Sequence, residues 1–124
     1  MEENAVFEKP MNNFVSPGTH LLLDLWGVKS TQDKVMIEAA MREAAKTCGA
    51  TVLNLILHEF GEEYGITGVA ILAESHISIH TWPELNYIAL DIFMCGKCDP
   101  EKSIPVFEKY FKPEKKSYSL HKRG

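Results

Sequence analysis

Apolar residues along this chain fall into short runs separated by polar breaks, with two stretches of helical periodicity. Residues 19–26, Thr19-His20-Leu21-Leu22-Leu23-Asp24-Leu25-Trp26, form an apolar run bounded by Gly18 and Gly27. A run this short reads as a buried strand rather than a helix. Before it, Asn12, Asn13, Ser16, Pro17 and Gly18 break any periodicity, so residues 1 to about 18 read as a loose arm. Met36, Ala40 and Ala44 then recur every four residues, with Ile37 and Met41 beside them and Glu38, Arg42, Glu43 and Lys46 mostly on other faces. That is an amphipathic helix. Thr31 or Asp33 can accept the unpaired amide hydrogens of its first turn, and Gly49 ends it as a left-handed cap.

Residues 50–60 predict a second strand, 61–65 a turn, and 66–73 a third strand. His76-Ile77-Ser78-Ile79-His80 alternates with period two, and Pro83 stops that strand or places it at an edge. Residues 87–95 are the fifth candidate strand. Asp99-Pro100 signals a second helix with Phe107, Tyr110 and Phe111 as its apolar face, and Pro105 delays its regular start. The tail, residues 112–124, is basic, and residues 117–120 have room for one more short strand. Short links between residues 50 and 95 favour antiparallel hairpins. The predicted fold is α+β, a two-layer sandwich with a mainly antiparallel sheet and both helices on one face, in one domain spanning residues 1–124. The other sheet face is then apolar and uncovered, which predicts a dimer or another cover.

Composition narrows the function without naming it. Of 124 residues, 17 are acidic and 13 basic, and the net charge of −4 argues against a general nucleic-acid binder. No apolar run approaches the roughly 18 residues of a membrane span. Residues 1–10 lack a basic segment followed by an apolar one, so no secretory signal is expected. Three cysteines without such a signal are expected to be reduced thiols in a cytoplasm.

Candidate chemistry is densest between Glu74 and Cys95. Ser75, His76, His80, Glu84 and Cys95 include a hydrolase inventory, but Gly-x-Ser-x-Gly is absent around Ser75. A cysteine hydrolase using Cys95 and a histidine has no supporting signature. Cys95-Gly96-Lys97-Cys98 is a lone C-x-x-C. His76 and His80, on one face of a strand, stand roughly 13 Å apart at about 3.3 Å per residue, too far to share a zinc ion. No metal site is expected. Taken one at a time, these residues read as hydrogen-bonded histidines and a small apolar cysteine. Only their concentration within about twenty positions points to a site.

The string Leu72-Ala73-Glu74-Ser75-His76-Ile77-Ser78-Ile79-His80-Thr81-Trp82-Pro83-Glu84 resembles the short, two-chain pyruvoyl-dependent S-adenosylmethionine decarboxylases of bacteria and archaea. Asp91-Ile92-Phe93-Met94-Cys95-Gly96, Gly18-x-His20 and Gly49-Ala50-Thr51 match the family as well, so the likeness covers residues 18 to about 111. A match of that length is far more specific than a lone short motif.

The resemblance implies a proenzyme that cuts itself between Glu74 and Ser75 into residues 1–74 and 75–124. It implies that Ser75 becomes a covalent pyruvoyl group forming a Schiff base with the substrate amine, and that His80 acts in processing as the base of the elimination. It makes Cys95 the acid that protonates the substrate α-carbon. It further implies a homodimer of cleaved protomers, with Phe60 stacking on adenine, Glu84 holding the ribose hydroxyls, and a product that serves as aminopropyl donor for spermidine synthesis. Three positions depart from the family. Thr67 stands in Ile66-Thr67-Gly68 where relatives usually carry a processing serine, Met94 replaces a small polar residue beside Cys95, and the tail is short. Two rivals keep the fold: decarboxylation of ornithine or arginine, and an uncleaved regulatory paralogue.

Overall fold

A computed structural model describes residues 17–124, so nearly all of the expected arm lies outside the described residues. The elements are β1 (Gly18–Trp26), α1 (Lys34–Cys48), β2 (Val52–Glu59), β3 (Ile66–Leu72), β4 (Ser75–Trp82), β5 (Tyr87–Cys95), α2 (Ser103–Phe111) and β6 (Lys115–Arg123). All six strands join one antiparallel sheet in the order β2-β3-β4-β5-β1-β6. The hairpins β2–β3, β3–β4 and β4–β5 are the short connections the sequence called for.

Period-two alternation divides the sheet into two faces. Leu21, Leu23 and Leu25 of β1, Ile77 and Ile79 of β4, and Ile88, Leu90, Ile92 and Met94 of β5 are buried beneath the helices. Ile37, Ala40, Met41 and Ala44 of α1 and Phe107 and Phe111 of α2 complete that core. Asp33 is the residue that caps α1, its carboxylate accepting the Met36 N–H at 3.0 Å. Gly49 closes the helix at φ +92°, a left-handed angle that glycine adopts without a Cβ penalty. The second helix starts late, as Pro105 foretold: Pro100–Lys102 forms a 3-10 turn and Pro105 sits in the first turn of α2, where its missing N–H has no partner to lose.

Three expectations are corrected. Gly18 belongs to β1 rather than to an arm. The tail forms a nine-residue strand rather than a four-residue one, with Leu120 opposite Leu21 and His121 opposite His20. Every residue of β6 is exposed, so ladder hydrogen bonds rather than an apolar pattern hold it, and its lysines suit an unpaired sheet edge. Finally, the uncovered sheet face is not uniformly apolar. Leu22, Trp26, Ile56, Ile71 and Trp82 are exposed there, but the register interleaves them with His20, Asp24, Thr67, His76, Ser78, His80 and Asp91.

Candidate active site

The tightest turn in the sheet carries the densest chemistry. Leu72 and Ser75 pair across β3 and β4, leaving only Ala73 and Glu74 to make the connection. Glu74 adopts φ +62°, a left-handed angle that costs a residue with a Cβ about 1 kcal/mol. Ser75 follows, 9% exposed, on the helix side of the sheet. Its Oγ accepts the backbone N–H of Cys95 at 3.0 Å, which joins the start of β4 to the end of β5.

Beyond Cys95 the chain turns sharply, the Cys98 N–H donating to the Cys95 carbonyl at 3.0 Å. The backbone amide of Lys97 holds the Cys95 thiol below the ordinary cysteine value, helped by the Ser75 hydroxyl and the Cys98 thiol; partial burial and the Glu74 carboxylate oppose it. The neighbouring Cys98 thiol moves the other way, raised by burial and then by Cys95. Cys48, at the end of α1, is buried and its thiol is pushed up to about 12.

A second cluster lies at the opposite end of β4. Thr67 pairs with His80, and the Thr67 hydroxyl and His80 Nδ1 share a hydrogen bond of 3.1 Å on the open face. Trp82, Tyr87 and Trp26 form an aromatic ladder beside them, with ring centroids 5.2 and 5.6 Å apart and Lys115 Nζ 5.3 Å from the Trp26 ring. Tyr87 donates to Asp24 at 2.5 Å, and burial together with that carboxylate pushes its hydroxyl up to about 12. Phe60, just past β2, is exposed and stands edge-on to His58. Glu84, in the 3-10 turn after β4, is exposed at the same end.

The candidate residues thus fall into two groups. Glu74, Ser75 and Cys95 lie together at the turn. Thr67, His80, Phe60 and Glu84 belong to the far end. Five residues separate Ser75 from His80 along β4, roughly 16 Å at about 3.3 Å per residue, and the odd spacing puts them on opposite faces. Between the groups runs a row whose members the sequence named but did not bring together: His76 stacked on Phe93 at 5.7 Å, and His20 Nε2 3.1 Å from Asp91 Oδ1. The alternation of β1 and β5 was the available signal, masked by the apolar character of both runs. Among the described residues, no group of three or more His, Cys, Asp or Glu side chains is placed to hold a metal ion.

Fold and site define a small α+β protein in which a serine and a cysteine meet at a hairpin turn with a left-handed, non-glycine residue. Residues 19–124 match the family model for S-adenosylmethionine decarboxylase, and the chain belongs to that family. It is 50% identical over 110 residues to a Methanococcus maripaludis protein named S-adenosylmethionine decarboxylase proenzyme, an alignment covering 86% of this chain and 89% of the relative. A Thermomicrobium roseum protein of the same name is 40% identical over 110 residues, covering 88% and 95%. Among solved structures, the adenosylmethionine decarboxylase of Aquifex aeolicus superposes with a TM-score of 0.77 at 31% identity, covering 90% of this chain and 93% of that one.

Proposed function

We propose that this chain is a proenzyme that cuts itself before Ser75 and then decarboxylates S-adenosylmethionine. One observation carries the reading: a serine immediately after a left-handed, non-glycine residue in a two-residue turn, its hydroxyl held by the amide of the candidate acid. The Ser75 hydroxyl attacks the Glu74 carbonyl carbon, forming an ester as the Glu74–Ser75 amide bond breaks. A base then removes the Ser75 α-hydrogen, the Cβ–O bond breaks, and Glu74 leaves as a carboxylate. The dehydroalanine that remains takes up water and releases ammonia, leaving a pyruvoyl group at position 75. The Cys95 N–H lies on the Ser75 hydroxyl oxygen, the atom that departs with Glu74, so it is placed to steady that oxygen as the ester forms and breaks.

Once present, that group supplies a ketone that accepts the electron pair freed when carbon dioxide departs. Cys95 returns a proton to the substrate α-carbon. Its thiol stands at the open face, next to position 75. Phe60 and Glu84 suit the remote end of a nucleoside substrate: an exposed ring for the base and a carboxylate for ribose hydroxyls. Ornithine and arginine offer neither group.

Cutting leaves the two pieces interleaved. Strands β1 to β3 lie in residues 1–74 and β4 to β6 in residues 75–124, yet β1 sits between β5 and β6 and β3 pairs with β4. The pieces carry −6 and +2, so attraction adds to a shared sheet.

The separation of His80 from Ser75 also bears on assembly. Two chains with their open faces opposed, related by a two-fold axis crossing the strands level with Ser78, set the His80 end of each over the Ser75 end of the other. A homodimer of this kind covers the exposed Leu22, Ile71 and Trp82 and completes each site. We place this reaction in a cytoplasm, where the reduced thiol is the resting state.

Intact-mass measurement and product analysis test the proposal together. The expected result is two fragments divided before position 75, with decarboxylated S-adenosylmethionine as product. A chain that stays whole after long incubation, or one that yields putrescine or agmatine from ornithine or arginine, overturns it.

A further inference from the structure

The C-x-x-C at the end of β5 remains unexplained by this chemistry, since only Cys95 has a part in it. Cys95 and Cys98 occupy the first and last positions of one turn, closed by the 3.0 Å bond from the Cys98 N–H to the Cys95 carbonyl. Turns of this kind hold their end Cα atoms within about 7 Å, and disulfides span roughly 4.4–6.8 Å between Cα atoms. Both thiols are partly exposed, and each shifts the other's titration. A bridge therefore needs rotation of two side chains and no movement of a strand.

We propose that Cys95 and Cys98 form a reversible disulfide that switches the enzyme off, a site of oxidative modification by low-molecular-weight disulfides. The inference rests on the assignment of Cys95 as proton donor. In the first step the Cys95 thiolate attacks one sulfur of the small disulfide, a mixed disulfide forms, and one small thiol leaves. Cys98 then attacks the Cys95 sulfur, and the second small thiol leaves. The protein gives up two protons and two electrons, and the small disulfide gains them as two thiols. The order follows from the environments: the Lys97 amide favours thiolate at Cys95, whereas burial and the neighbouring Cys95 hold the proton on Cys98. Capping Cys95 relieves the second of those two effects, which frees Cys98 to complete the ring. Cys48 takes no part, because burial pushes its thiol up to about 12. The closed disulfide has no S–H to give to the substrate α-carbon.

The test uses the processed enzyme in glutathione buffers of increasing oxidised fraction, with intact mass and turnover read on the same samples. The 75–124 fragment is expected to lose two hydrogens, with no retained glutathione. Turnover falls at least tenfold in parallel and returns with dithiothreitol. In Cys98→Ser the ring cannot close, so a glutathione adduct accumulates on Cys95. Cys48→Ala still loses two hydrogens. A stable glutathione adduct on the unmodified sequence, or a bridge that includes Cys48, overturns the proposal. Ring closure with full turnover instead overturns the role of Cys95 while leaving the disulfide standing, so the two failures are distinguishable.

Discussion

The two ends of β4 are built on different terms. At the turn end, backbone geometry is constrained: Glu74 is held at φ +62°, Ser75 is packed at 9% exposure, and the Cys95 amide is fixed on its hydroxyl. At the far end, side chains stand uncovered: Phe60 is 58% exposed and Trp82 37%, beside the Thr67–His80 bond. Groups that make and break bonds need fixed geometry, and packing provides it. Groups that recognise a ligand or another chain need access. The difference teaches that one chain holds the two clusters the proposed reaction needs without bringing them together.

The largest effects follow from removing one half. Ser75→Ala leaves no hydroxyl to form the ester, so cleavage and turnover are both expected to be abolished, as seen by intact mass and carbon dioxide release. His80→Ala is expected to remain uncut as well. Co-expressing the two dead variants sharpens the comparison, because a mixed dimer sets an intact His80 over an intact Ser75. With random pairing, about half of the His80→Ala chains then sit in mixed dimers and are cut. Finding every chain uncut sinks the face-to-face arrangement.

Cys95→Ala breaks the turn end more selectively. Cleavage is expected to proceed, whereas turnover drops at least ~100-fold, in keeping with loss of a general acid. The pH profile supplies the sign. The Lys97 amide lowers the Cys95 thiol, so the protonated form required of an acid is lost earlier as pH rises. The alkaline limb of kcat is expected to begin below about 8.5, the ordinary thiol value, and a limb above that value contradicts the assignment.

Thr67 probes the far end with a smaller effect. Its hydroxyl restrains His80 through one hydrogen bond of 3.1 Å, and such bonds contribute about 1 kcal/mol. Thr67→Ala is expected to slow cleavage about fivefold, and Thr67→Ser to leave the rate near that of the natural residue. In the co-expression experiment the slowing should follow the chain that supplies His80. Slowing that follows the chain being cut shows instead that Thr67 acts within its own protomer.

The helix-covered face was legible because β1, β3, β4 and β5 bury alternate, mostly apolar residues, and α1 announced itself through Asp33, its four-residue repeat and Gly49. The strand β6 was not: Lys115 to Arg123 bury nothing, and only pairing with β1 makes them a strand. The site was legible as a string of residues but not as a place. An odd spacing of five already puts Ser75 and His80 on opposite faces of a strand, yet only the register shows that Thr67 rather than Ser75 is the neighbour of His80. Cys98 was read as half of an incomplete metal motif, because the turn that joins it to Cys95 is a matter of backbone geometry. His20 and Asp91 were quoted as family matches, but their meeting in one polar row was hidden for a different reason. Both residues sit in runs whose apolar content is dominated by the opposite face.

The finest distinction concerns strain at the turn itself. If the left-handed angle at Glu74 raises the energy of the amide about to be broken, a residue that enjoys that angle should slow the cut. Glycine enters the region without a Cβ clash, so Glu74→Gly removes about 1 kcal/mol of strain. That is about a fivefold slowing, provided the strain is released as the ester forms. Folding stability, measured in a Ser75→Ala background so that no cleavage intervenes, should change little, because the extra chain freedom of glycine costs about 0.5–1 kcal/mol in return. The control is Glu74→Ala, which keeps the Cβ and the strain but removes the carboxylate that opposes thiolate formation at Cys95. Alanine is expected to cut at the natural rate while moving the Cys95 thiol lower still in the uncut chain. Equal slowing in both variants means that the carboxylate, and not the backbone angle, prepares the bond for cleavage.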